Sequence, residues 1–266
     1  MGDVRAPAVA GSFYPSRGSE LDAEVRRHVA QGCPAREVLP WRAPKAVIAP
    51  HAGYVYSGPV AGSAFRALAP LRGRVSRAVV IGPAHRAAFQ GLALPESDAF
   101  ATPLGLMRID ESARAALLEL PQVIASDEAH AGEHSLEVEL PFLQVVLGDV
   151  SLVPIAVGRG ADDAVERALE RSWAGPETCV VVSSDLSHYY PYASAKSLDS
   201  QTARAIEQLS ADSIEEEHAC GGVGVRALLR VARSRGLHAT VLDLRSSGDT
   251  AGPRDEVVGY GAFAFA

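Results

Sequence analysis

Three histidines follow short runs of branched apolar residues, the pattern of strands buried in a sheet. His51 comes directly after AVIAP, His85 comes two residues after RAVVIGP, and His188 lies a few residues after CVVVSS. In an open α/β sheet, ligands bind in the crevice outside the carboxyl ends of the strands. Because clustered imidazoles commonly bind a transition metal, we predict one shared site with a metal as its occupant.

Two of these histidines also have a purely structural interpretation. His51 lies in PHAGYVYSG, where glycines favour a tight strand-to-helix turn and the imidazole can simply bond to the backbone. His85 follows Gly82 and Pro83, and a lone histidine on such a loop is commonly a surface residue. Taken together, His51 and His85 would be two neutral imidazoles on adjacent strands, which is how a transition-metal site usually begins.

The segment SSDLSHY carries a candidate acid/base pair. Asp185 and His188 are three residues apart and would share one face of a helical turn after the strand. A carboxylate that holds one ring nitrogen sets the tautomer of an imidazole and raises its basicity, as general acid/base catalysis requires. A serine hydrolase that uses Ser183 or Ser184 is disfavoured, because the G-x-S-x-G nucleophile elbow is missing.

Two further segments carry candidate ligands. Cys220 falls at the start of a predicted helix over 222–234, where the helix dipole favours the thiolate that binds soft or borderline metals. An isolated cysteine is, however, more often a small buried residue. His134 stands between Glu133 and Glu137 at the start of another predicted helix. It can be a metal ligand or a donor to one, while the two acids can equally complement the helix dipole.

The elements that must position these residues alternate between strand and helix along almost the whole chain. This alternation predicts a single α/β domain over 1–266, with a mixed, mostly parallel sheet covered by helices on both faces. Ser19 would cap the first helix, and Pro141 would kink a helix over 134–147 or begin a second segment. Strands are expected at 45–49, 77–82, 151–157, 178–184, 239–244 and 259–265, and further helices at 20–31, 59–69, 111–120, 162–173 and 195–209.

The composition excludes several functional classes. The chain has 266 residues, 47% of them hydrophobic, and a net charge of −7 without any run of Lys or Arg, which argues against nucleic acid and anionic membranes as partners. No apolar stretch approaches the length of a membrane span. The N-terminal sequence lacks the apolar core of a signal peptide, and the three cysteines form no C-x-x-C pair. We therefore expect a reducing, cytoplasmic location.

The order of six motifs resembles that of the Memo family, whose prokaryotic members are also named AmmeMemoRadiSam system protein B. The resemblance covers essentially the whole chain. It implies a fold similar to the class III extradiol ring-cleavage dioxygenases, which are non-haem iron enzymes. The motifs are PAVAGSFYP, PHAGYVYSG, IGPAH, EHSLEVELPFLQ, SSDLSHY and the segment of Cys220 and its following glycines.

The resemblance also implies roles for six residues of one pocket. His51, His85 and Cys220 would be metal ligands, His188 would be the acid/base, and Asp185 and His134 would line the same pocket. A cysteine in place of the carboxylate of an extradiol site makes the donor set softer, so that copper or zinc fits as well as Fe(II). Ring cleavage therefore does not follow from similarity of fold.

These observations lead to one principal hypothesis and two alternatives. The principal hypothesis is a metal-dependent oxidoreductase with an open coordination position for O₂ or a small-molecule substrate. The first alternative is a binding module for a phosphorylated or anionic peptide in the same cleft, which the scarcity of arginines beyond Arg86 in the motifs disfavours. The second is a zinc hydrolase acting through metal-bound water. The prokaryotic family name further implies AMMECR-type and radical-SAM proteins as partners.

Overall fold

The helices and strands alternate through most of the chain, as a computed structural model that describes residues 3–33 and 43–266 shows. The strands are β1 (Val4–Arg5), β2 (Ala46–Ala49), β3 (Arg77–Pro83), β4 (Leu92–Leu94), β5 (Ala99–Thr102), β6 (Gly105–Arg108), β7 (Val123–Ala125), β8 (Ser151–Val157), β9 (Thr178–Ser183), β10 (His188–Tyr190), β11 (Ala239–Ser246) and β12 (Val257–Phe265). The helices are α1 (Gly18–Gln31), α2 (Tyr54–Leu68), α3 (Glu111–Leu118), α4 (Glu128–Ala131), α5 (Leu140–Leu147), α6 (Asp162–Ser172), α7 (Tyr192–Glu207), α8 (Gly222–Ser234) and α9 (Ser247–Thr250). Short 3₁₀ turns lie at Ala69–Leu71, Glu137–Glu139, Ala211–Ser213 and Glu216–His218.

The main sheet has nine strands within the described ranges, in the order β10-β12-β2-β9-β3-β8-β4-β7, with β11 paired to β12. The central strands β2, β9, β3 and β8 are parallel, whereas β12 runs antiparallel to β2 and β4 antiparallel to β8. A small second sheet has the order β1-β5-β6. The predicted α/β fold with a mixed sheet is therefore confirmed.

Each face of the main sheet packs against its own layer of helices. Along β2, Val47 and Ala49 contact the apolar cluster that contains α1, α2 and α5. Ala46 and Ile48 contact the opposite cluster, which contains α6, α7 and α8. Because side chains alternate between the faces of a strand, a sheet covered on both faces requires uninterrupted apolar runs. None of the described helices is long and apolar enough to cross a bilayer.

The order of the central strands corrects one expectation. The strands that precede His51 and His85 are not adjacent, because β9 pairs in parallel with both β2 and β3 and lies between them. In this register Ala49 lies opposite Ser183, the last residue of β9. The segment that follows β9 therefore leaves the sheet between the two histidines.

The starts of α1 and α2 differ from those predicted. Helix α2 begins at Tyr54 rather than near 59, so that Pro59 lies inside the helix and Gly58 is helical rather than part of a turn. Gly58 instead leaves room for α1, since a Cβ there would lie 2.7 Å from His28 Nε2. The N-cap of α1 is Arg17, without a side-chain capping bond, and the predicted cap at Ser19 is wrong.

The segment that precedes α5 also differs from the predicted helix over 134–147. It contains the turn Glu137–Glu139 followed by α5, with Pro141 in the first turn of α5. Of the two alternatives for Pro141, the start of a second segment is confirmed. The remaining predicted helices and strands are confirmed to within a few residues, whereas the short strands β1, β4 to β7 and β10 were not predicted.

Candidate metal centre

Three imidazoles meet at the carboxyl ends of the central strands. His51 follows β2, His85 follows β3, and His134 lies on the loop before α5. One ring nitrogen of each lies within 4.8 Å of those of the other two. The ring centroids are 5.2 Å apart for His51 and His85, and 4.7 Å apart for His85 and His134. A group of imidazoles at this spacing can hold a metal ion.

His51 is buried, and its ring is held from the side of the sheet. Its Nδ1 lies 2.7 Å from Ser183 Oγ, and its Nε2 lies 3.2 Å from Cys220 Sγ. Burial lowers the pKa of His51 well below its usual value, and positive charge on His85 would lower it further. The ring is therefore neutral at pH 7, which is the form that binds metals.

Ser183 connects His51 to Glu139, a residue that the sequence did not single out. Ser183 Oγ lies 2.9 Å from Glu139 Oε1 and 2.6 Å from the carbonyl oxygen of Ser135. Burial raises the pKa of Glu139 well above its usual value, so that its carboxyl group is neutral. Its Oε2 is buried and has no hydrogen-bond partner among the described residues. The chain Glu139–Ser183–His51 occupies Nδ1 of the imidazole and leaves Nε2 for the centre.

His85 is held by a carboxylate instead. Its Nδ1 lies 3.0 Å from Glu133 Oε1, and its backbone N–H donates to Glu133 Oε2 at 2.5 Å. Although burial raises the pKa of Glu133, the hydrogen bonds from His85 and from the backbone of Ser135 outweigh it and hold the pKa far below its usual value. Glu133 is thus an ionised partner of the kind that orients metal-bound histidines, and Nε2 of His85 is left for the centre.

The backbone N–H of His134 donates to the same carboxylate, at Glu133 Oε1, at 2.9 Å, but the ring of His134 approaches it without a hydrogen bond. Its Nδ1 is 3.3 Å from Glu133 Oε1, and in the described part of the chain this buried nitrogen has no hydrogen-bond partner. Phe13 packs on the ring with centroids 4.8 Å apart. Contrary to expectation, His134 lies on a loop and does not begin a helix. The carboxylate of Glu137 does not pair with His134. Glu137 accepts hydrogen bonds from Arg5 and from Tyr14 and so anchors the N-terminal segment.

Cys220 lies beside His51, two residues before α8, and the predicted start of that helix is confirmed. Its Sγ accepts the backbone N–H of Asp185 at 3.3 Å. Burial and the nearby Asp185 carboxylate raise the pKa of this thiol to about 12, the opposite of the lowering expected from the helix dipole. A metal that binds Sγ has to displace this proton. The three residues whose ligand atoms all lie within 4.8 Å of one another are His51, His85 and His134, and Cys220 is not among them.

The predicted hydrogen-bonded pair of Asp185 and His188 does not form. The chain between β9 and β10 is not helical, so the two side chains share no helical face. Asp185 Oδ1 instead accepts the backbone N–H of His51 at 2.8 Å, and burial raises the pKa of Asp185 to about 7. The ring of His188 bonds to the backbone of Leu186, and burial lowers the pKa of His188.

A cavity of about 680 Å³ opens over the imidazoles. Tyr189 and Tyr190 also line this main cavity. Tyr189 has φ of +61°, a left-handed conformation that costs a non-glycine residue energy and that is concentrated at functional sites. All six residues singled out from the sequence line the main cavity: His51, His85, His134, Asp185, His188 and Cys220.

Comparison with known proteins finds relatives that match almost the whole chain. The family model for Memo-like proteins matches residues 5–264. A MEMO1 family protein of Ignicoccus hospitalis is 35% identical, and the alignment covers 98% of both chains. One of Thermotoga neapolitana is 34% identical, over 97% of this chain and 98% of the relative. One of Aeropyrum pernix is 35% identical over the same shares. The chain therefore belongs to the Memo family.

Proposed function

We propose that this protein is a metal-dependent oxidoreductase whose iron or copper ion is held by His51, His85 and Cys220. The observation that carries the proposal is the orientation of the two imidazoles. Ser183 and Glu133 occupy their Nδ1 atoms, so both Nε2 atoms are free to bind a common ion. Such tethering of the second nitrogen is the usual arrangement for metal-bound histidines.

The donor set also indicates the kind of metal. Imidazole suits iron, copper and zinc, and a thiolate adds preference for softer ions over Mg²⁺ or Ca²⁺. Cys220 Sγ and His51 Nε2 are 3.2 Å apart, close enough for one ion to bind both. His134 is the alternative third ligand, since its ring nitrogen lies within 4.8 Å of those of His51 and His85. The choice between sulfur and a third imidazole is open to direct test.

The protein's own residues would position a substrate and move its protons. A bound redox metal supplies the electron transfer and an open coordination position. His188 is neutral at pH 7, because burial lowers its pKa, and can accept a proton from a substrate hydroxyl in the main cavity. Asp185 holds the backbone of His51 through its Oδ1, which makes it a positioning residue. The sequence predicted instead that Asp185 would hold a ring nitrogen of His188.

The first test is elemental analysis of protein purified without an affinity tag. We expect near-stoichiometric iron or copper in the wild type, lost in Cys220→Ser and retained in the matched control Cys33→Ser. Retention in Cys220→Ser together with loss in His134→Ala would replace the ligand set by three histidines. Stoichiometric zinc would favour the hydrolase, and intact protein without metal would favour a binding protein.

The role of His188 is tested separately by oxygen uptake with catechols and small phenols. We expect His188→Ala to keep its metal and to lose any turnover that the wild type shows. Loss of metal in this variant would make His188 a ligand, and unchanged turnover would remove it from the mechanism.

A further inference from the structure

A second cavity of about 330 Å³ opens beside the candidate metal centre. It lies where β3 and β8 end and where α8 begins, and we call it the side cavity. His85, Arg86 and Cys220 line both the side cavity and the main cavity. The two spaces therefore meet at two of the proposed metal ligands, and one small molecule can occupy both.

The charged lining of the side cavity is cationic. Arg86 follows β3, and Arg159 follows β8, so the parallel pairing of these strands brings the two arginines to the same edge of the sheet. No aspartate or glutamate is found among the described residues that line this cavity. Over 3–33 and 43–266, neither guanidinium group has an ion pair or a side-chain hydrogen bond. Arginine presents several donors in a planar fork that matches a carboxylate or a phosphate.

Most of the other side chains that line the side cavity are apolar. Phe89 packs directly on Gly158, where a Cβ would lie 2.7 Å from the ring and 2.5 Å from the carbonyl oxygen of Phe89. Ile81, Val157 and Val223 complete this apolar wall. A volume of 330 Å³ lies at the lower end of the range for small-molecule sites. The side cavity therefore suits a small molecule with an apolar body and an anionic group.

We propose that the side cavity binds the anionic group, a carboxylate or a phosphate, of a small apolar or aromatic substrate whose other end reaches the metal centre. Arg86 and Arg159 would hold the anionic group, and Phe89 would pack against the apolar body. Arg159 is thus a specificity-determining residue that lies 74 positions after His85, the nearer of the two motif histidines, and proximity in the sequence gave no sign of it. The identification as substrate rests on the proposed function, whereas binding of the anion does not.

The test is calorimetric titration of the protein as purified, without removal of metal, with benzoate, with phenyl phosphate and with the uncharged analogue benzamide. We expect Arg159→Gln to weaken binding of the anions about tenfold, the effect of one charge-assisted hydrogen bond, and to leave benzamide unchanged. Arg108→Gln is the matched control, because Arg108 is exposed on β6 and lines neither cavity. Tighter binding of benzoate would assign carboxylic acids, and tighter binding of phenyl phosphate would assign phosphate esters.

Two outcomes would overturn the inference. One is the absence of binding by either anion, and the other is equal weakening by Arg159→Gln and Arg108→Gln. Metal content is measured on the same samples, so that failure of the two proposals is distinguishable. Anion binding that depends on Arg159 in a protein without metal would support the side cavity and contradict the oxidoreductase. Metal without such binding would do the reverse.

Discussion

Removal of the Ser183 hydroxyl group should destabilise the protein and lower its metal affinity, although Ser183 is not itself a proposed metal ligand. Ser183 Oγ is the atom that joins the ring of His51 to the carboxyl of Glu139, at 2.7 and 2.9 Å. In Ser183→Ala both of these buried groups lose their partner. A buried polar group left unsatisfied costs about 1–3 kcal/mol, and we expect the free energy of unfolding to fall by an amount in that range.

The same substitution should lower metal affinity. With Nδ1 of His51 unpaired, the ring loses the contact that fixes its tautomer and orientation. Loss of such a supporting contact typically costs about 10- to 100-fold in metal affinity. The assay is a competition titration with a chelator, using Co²⁺ or Zn²⁺ as the probe, together with urea unfolding of the metal-free protein.

Two further variants sharpen this test. Ser172→Ala is the matched control, because Ser172 Oγ is also buried but has no hydrogen-bond partner in the ranges that the structure covers. It should leave both metal affinity and stability almost unchanged. Glu139→Gln should also bind metal nearly as wild type does, since an amide replaces a carboxyl group that is already neutral. Our reasoning is refuted if Ser183→Ala behaves like Ser172→Ala in both measurements.

Two predictions concern the scaffold that carries the centre. Gly62→Ala should destabilise the protein by about 1–3 kcal/mol in urea unfolding, because its Cβ would lie 2.3 Å from the carbonyl oxygen of His28 and would force α1 away from α2; unchanged stability would contradict this close approach. Asp110 caps α3 and accepts a hydrogen bond from Arg77 at 2.7 Å. Burial raises its pKa, but the bonds from Arg77 and from the backbone of α3 outweigh it and hold the pKa well below the usual value. The ionised form therefore contributes stability above about pH 4 that is lost as pH falls through the folded-state pKa. Asp110→Asn keeps the cap and should lower the free energy of unfolding by about 1 kcal/mol at pH 7. This difference from wild type should shrink in unfolding curves measured below pH 4. A difference that does not change with pH would show that the charge contributes nothing.

Much of the fold and the location of the site follow from local sequence. The central strands are recognisable because burial on both faces demands continuous apolar runs, as in β3 and β9. His51 and His85 were found because they follow such runs, and the carboxyl ends of parallel strands share one edge. Pro141 marked the start of α5 because proline is tolerated in the first turn of a helix.

Other features were missed because their signals are weak in sequence. Glu139 lies in an apolar segment, HSLEVELPFLQ, where a third acidic residue after Glu133 and Glu137 is the available clue. Nothing local distinguishes Arg159 from the other arginines of the chain. Asp185 was paired with His188 on the assumption of a helical turn, but the backbone amide of His51 competes for its carboxylate.

By itself, the sequence determined the α/β class, the strands that carry His51 and His85, and six of the residues that line the main cavity. Only the tertiary structure decided that β9 lies between β2 and β3, that Ser183 holds the imidazole of His51 and Glu133 that of His85, and that Arg159 lies at the same cavity as Arg86. The physical reason is that the positions of strands and of helix ends depend on residues close in sequence. Hydrophobic periodicity and turn-forming residues therefore reveal them. Partners of buried polar groups depend instead on strand order and register. Ser183 and Glu139 are 44 residues apart, and His51 and Ser183 are 132 apart, so only the packed chain brings them within hydrogen-bonding distance.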